Sequence, residues 1–175
     1  MHELMRERFW NLFVATKHQC YYYRFFKKHC DNKIAALKIF LTAVSFAGIS
    51  AWAIWDFLPG ALPVVLAAAQ ILSVCQDYFP FAKQSSGIEY LLPDLELLCI
   101  SIEKDWNKID DMSSQEIIDK IEYYERSNIE LQNKYMPSFA FLHNKQSERK
   151  AQEENMAFFA SYSSQTLTKE GVTAE

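Results

Sequence analysis

The sequence predicts an all-α integral membrane protein: a two-helix transmembrane hairpin, preceded by an amphipathic helix and followed by a cytoplasmic, coiled-coil-like helical part. Three observations predict it. Residues 39–76 contain a single charged side chain, Asp56. Residues 1–38 carry eight Lys and Arg against three acids, whereas residues 83–175 carry ten against seventeen. The rest of the chain repeats its apolar residues at helical intervals, with no alternating run that would call for a sheet.

Residues 1–38 read as a basic, aromatic interfacial helix. Its densest stretch is "CYYYRFFKKHC" at 20–30, with five aromatic and three basic side chains between two cysteines. Next to a membrane span, ring bodies can lie among acyl chains while cations meet anionic headgroups. Arg24, Lys27 and Lys28 are therefore candidate headgroup or phosphate contacts.

Residues 39–81 read as the hairpin, with spans of about 39–57 and 62–81. Each matches the ~17–25 apolar residues that cross a bilayer. "WDFLPGALP" joins them: Pro59-Gly60 is a strong turn dipeptide, and Pro63 suits the first turn of the next helix. Trp52 and Trp55 fall at the turn end and Tyr78, Phe79 and Phe81 at the far end, where aromatic belts lie. The alternative is an antiparallel pair buried in a soluble bundle, but core helices keep a polar face and this pair shows almost none. The turn lacks Lys and Arg while both flanks carry them, which predicts that both termini are cytoplasmic. A cleaved signal peptide is not expected, because a long, largely polar segment precedes the apolar run.

Within the spans, Ala43, Ala47 and Ala51 form a small-residue stripe suited to close helix packing. Gln70, Ser73 and Asp77 share a face of the second span. A polar group in mid-membrane is costly unless it finds a partner or water. Gln70 then bonds across the hairpin with Asp77 in the headgroup layer, or the stripe lines a pore or subunit contact between several hairpins.

Residues 83–162 read as a cytoplasmic helical domain. Ile88, Leu91, Leu95, Leu98, Ile102, Trp106 and Ile109 make a heptad-like seam, with Pro93 predicting a kink or the helix start. Ser113 followed by Glu116 is a capping-box pattern ahead of Ile117, Ile118, Ile121, Tyr124 and Leu131, the apolar face of a second helix ending near Met136. A weaker third helix is expected over 138–160, and residues 163–175 read as a disordered tail.

The motifs of common enzyme classes are missing. The four glycines make neither GxGxxG nor a phosphate loop, and no HExxH, paired-cysteine or nucleophile-elbow pattern occurs. No catalysis, cofactor or metal is expected. His18, Cys20, His29 and Cys30 tempt as metal ligands. On one helix, however, His18 and His29 lie about 16 Å apart along the axis, too far to share a zinc ion. Cys20, Cys30, Cys75 and Cys99 show no disulfide framework and read as free thiols. A basic start joined to an acidic remainder argues against stable DNA or RNA binding.

The order of parts resembles the SLATT family of bacterial two-transmembrane effectors. It runs from "RERFWNLFVATKHQCYYYRFFKKH" through the hairpin "IFLTAVSFAGISAWAIWDFLPGALPVVLAAAQILSVC" to "EYLLPDLELLCISIEKDW". The likeness covers roughly residues 3–135 and is one of layout and hydropathy, so no ligand-binding residue carries over. It implies an oligomeric effector of a prokaryotic antiphage or conflict system in the bacterial inner membrane. Such an effector permeabilises the membrane on a cytoplasmic signal, from a nucleotide second messenger or a sensor protein. Its implied partners are membrane lipids and copies of itself, as a homo-oligomer. The alternative expectation is a membrane-anchored scaffold or adaptor whose cytoplasmic helices recruit a protein partner.

Overall fold

The computed structural model describes residues 2–50, 61–75, 79–136 and 144–172, with side chains described at 2–44, 64, 67–74, 79–136 and 144–162. Five helices account for almost all of this: α1 (His2–Ser50), α2 (Ala61–Cys75), α3 (Pro80–Trp106), α4 (Ser114–Tyr135) and α5 (Lys145–Val172). A 3-10 turn at Ile109–Asp111 leads into α4, and no strand occurs among the described residues. α5 extends into the stretch read from sequence as a tail.

The transmembrane hairpin is corrected. Among the described residues no helix is long and apolar enough to cross a membrane. α2 is the core of the second expected span, yet its 15 residues reach only about 22 Å, short of the ~30 Å hydrocarbon layer. The first expected span is described only over 39–50, the end of α1, which covers about 18 Å. The same finding overturns the multi-pass inner-membrane placement with both termini cytoplasmic. A low density of charge in the sequence does not by itself give a helix the reach that a span needs. The expected turn with Trp52, Trp55 and Asp56, and also Ala51, Asp77 and Tyr78, lies outside the described residues.

The chain divides into two compact units, Met1–Phe26 with Gly87–Glu175, and Lys27–Ser86. In the first, α1 buries Phe9, Phe13, Thr16, Cys20, Tyr23 and Phe26 at three- and four-residue steps. α3 buries Ile88, Leu91, Leu95, Leu98 and Ile102 in the same rhythm. Each fully buried side chain of this size contributes about 1.5–3 kcal/mol relative to exposure. Contacts fix the helix directions. Phe9 meets Trp106 while Cys20 meets the Leu95 carbonyl, so α1 and α3 run antiparallel. Lys120 meets Asp105 and Tyr135 meets Asp94, so α4 runs antiparallel to α3. Trp10 meets Phe159 and His18 meets Glu148, so α5 runs antiparallel to α1. The result is an up-and-down helical bundle.

Local chemistry sets the helix ends. At α4 the capping box is complete: the Glu116 amide donates to the Ser113 hydroxyl, and the Glu116 carboxylate accepts from the Ser113 amide at 2.7 Å. Pro93 lies inside α3 with an exposed ring, and the helix continues through it. In the second unit Cys30, Leu41, Ala69, Gln84 and Ser85 are buried. The Ser85 hydroxyl donates to Asp31, which also takes the Lys27 ammonium at 3.0 Å. Burial works against the Asp31 carboxylate, but these two donors outweigh it and hold its pKa below the usual value.

Candidate functional site

α3 carries two apolar seams. The seam of Ile88, Leu91, Leu95, Leu98 and Ile102 is buried in the bundle. On the opposite side, Tyr90, Pro93, Leu97 and Ile100 repeat the same three-four spacing and are all exposed. Tyr90, Leu97 and Ile100 are 65%, 62% and 60% exposed. At 100° per residue the two stripes lie on opposite sides of the helix, so no rotation of α3 buries both in one bundle. The outer stripe runs about 15 Å from Tyr90 to Ile100.

Charge borders this stripe unevenly. Glu89, Glu96 and Glu103 recur every seven residues along one edge. Arg24 of α1 donates to Glu96 at 2.6 Å. Asp94 lies on the other edge, where it accepts from the Tyr135 hydroxyl at 2.7 Å. Lys134, beside Tyr135, and Lys120, paired with Asp105, are cations on that side, and Lys104 lies at the C-terminal end of the stripe. The geometry suits helix-on-helix docking, with anchors at i, i+3, i+7 and i+10 and a charged edge to set register.

A second surface feature lies at the start of α1. Glu3, Leu4, Arg6, Glu7, Trp10 and Trp106 line an open cleft of about 670 Å³. Trp10 and Trp106 stand with ring centroids 4.9 Å apart, backed by Phe13, Phe159 and Tyr162. Arg6 already faces Trp106 at 5.9 Å and pairs with Asp110 at 2.9 Å.

The residues singled out from sequence fall elsewhere. In the first unit Arg24 is engaged by Glu96 and also faces the Tyr21 ring at 5.7 Å. The Glu96 hydrogen bond is the main cause that raises the Arg24 pKa. In the second unit Lys27 is engaged by Asp31, while Lys28 is exposed. Gln70, Ser73 and Ala43 are exposed, the side chain of Ala47 is not among those described, and Ala51 and Asp77 lie outside the described residues. Cys20, Cys30 and Cys99 are free and buried. A hydrogen bond with Cys99, together with burial, pushes the Cys20 thiol up, away from nucleophilic chemistry. Among the described residues no group of three or more His, Cys, Asp or Glu is placed to hold a metal ion.

Sequence reading missed the outer stripe although its spacing was visible. Tyr90, Pro93, Leu97 and Ile100 interleave with the buried seam, and a hydropathy pattern merges two opposed stripes into one apolar helix. Comparison with known proteins gives no match: no family model fits the chain, and no curated protein or solved structure is detectably similar to it.

Proposed function

We propose that the chain is a non-enzymatic helical adaptor that recruits a protein partner on the outer face of α3. The observation that carries this reading is the uncovered seam of Tyr90, Pro93, Leu97 and Ile100 on a helix whose other seam already fills a core. Scattered single apolar residues on a surface need no explanation, but four in heptad register form a contact line. The line has the spacing used when an amphipathic helix lies along a groove or another helix.

The test is site-specific photo-crosslinking in the cells that make the protein. A photoreactive amino acid in place of Leu97 is expected to give a discrete crosslinked protein. The same group in place of Arg126, a 70%-exposed side chain on α4, is expected to give none. Equal crosslinking from both positions, or none from position 97, refutes the adaptor reading.

A further inference from the structure

The cleft at the start of α1 lies outside the α3 seam. None of Tyr90, Pro93, Leu97 or Ile100 lines it; its walls come from the first turns of α1 and from Trp106 at the end of α3. At about 670 Å³ it falls within the size range of small-ligand sites. Trp10 and Trp106 are half-buried and held by other rings. Trp10 packs edge-on to Phe13 at 5.9 Å and to Phe159 at 5.0 Å, and Trp106 stacks on Phe9 at 6.3 Å. Two indoles fixed in this way offer π-surface with little ordering cost when a ligand arrives.

Rings and charge together select the ligand. An indole face carries negative electrostatic potential and attracts a cation within about 6 Å. The Trp106 ring already takes one from its own chain, the Arg6 guanidinium at 5.9 Å. Asp110 offsets the Arg6 charge at 2.9 Å. The other charged groups of the lining are Glu3 and Glu7, one turn apart on α1 and both exposed; neither has a salt bridge among the described residues. Two carboxylates oppose an anion, and a neutral apolar ligand leaves them unanswered. A bare ammonium keeps its water shell at so open a site, whereas a trimethylated one spreads its charge over methyl groups that lose little by meeting indole rings.

We propose that this cleft binds a quaternary ammonium group, seated against Trp10 and Trp106 with Glu3 and Glu7 beside it. The site is separate from the adaptor face and adds a small cationic ligand to what the bundle recognises.

The full chain is isotopically labelled at its tryptophan indole nitrogens, and proton–nitrogen spectra are recorded during titration with choline or with its uncharged tert-butyl analogue. Choline is expected to move the Trp10 and Trp106 signals more than those of Trp52 and Trp55, and to bind at least about tenfold more tightly than the analogue. Glu3→Gln/Glu7→Gln is expected to weaken choline binding about fivefold with circular dichroism unchanged, because both side chains are exposed. Arg6→Gln removes the competing cation from the Trp106 ring and is expected to strengthen binding about threefold. A trimethyllysine peptide separates the two sources of such a group: tighter binding than choline places it on a protein side chain, weaker binding on a small molecule. Equal binding of choline and its analogue overturns the proposal. So does choline binding that Glu3→Gln/Glu7→Gln leaves unchanged, or a titration in which neither Trp10 nor Trp106 moves. The adaptor reading is decided separately, by the crosslink at Leu97.

Discussion

Tyr124 offers the sharpest test of how the bundle is held. It is 4% exposed, and its hydroxyl donates to Asp105 at 2.7 Å and to the Ser101 carbonyl at 3.2 Å. Lys120 meets the same Asp105 oxygen at 2.7 Å, so α3 and α4 are tied by one carboxylate and two donors. The Tyr124 ring stands edge-on to Phe9 of α1, 6.2 Å between centroids. Tyr124→Phe keeps that ring contact and removes only the hydroxyl. A hydrogen bond to a charged group contributes about 1.5–3 kcal/mol, and the remaining Lys120 contact places the expected loss toward the lower half, about 2 kcal/mol. Urea denaturation followed by circular dichroism measures it. The pH dependence has a definite sign. Burial works against the Asp105 carboxylate, but Lys120 and Tyr124 outweigh it and hold its pKa below the ordinary value of 3.8. The contribution is therefore complete above that value and is lost only as pH falls through the lower folded pKa. Burial, with Asp105 second, pushes the Tyr124 hydroxyl up, so the donor keeps its proton through pH 9. The difference between the wild type and Tyr124→Phe should hold constant from pH 9 to 5 and shrink only in stronger acid. A loss below about 0.5 kcal/mol, or a difference already shrinking between pH 7 and 5, refutes the account.

Two further predictions rest on other parts of the fold. Ser113→Ala removes the hydroxyl that accepts from the Glu116 amide and should lower stability by about 1 kcal/mol in the same denaturation assay; Ser113→Thr should restore most of it. Cys20, Cys30 and Cys99 should resist iodoacetamide at pH 8 in the native protein and react fully in guanidinium, as read by peptide mapping. Rapid native labelling of any of the three would contradict its burial.

The helical class, the cap of α4 and the inner seam of α3 are legible in the chain alone. Each depends on local spacing: apolar residues at three- and four-residue steps, or a hydroxyl and a carboxylate three residues apart. Local spacing also made the aromatic character of "CYYYRFFKKHC" plain, but not its use. Tyr23 and Phe26 point into the bundle, and Arg24 reaches Glu96, 72 residues away in sequence. Such partners emerge with the packing of the helices, because an amphipathic helix buries its apolar side equally well against lipid or against protein. The fold also showed that among the described residues no helix is long and apolar enough to cross a membrane, since hydropathy records composition and a bilayer responds to reach. The outer seam of α3 was written in the sequence beside the inner one. Which of the two the bundle covers is visible only in the fold, where Leu91, Leu95 and Ile102 are buried and Leu97 and Ile100 are left exposed.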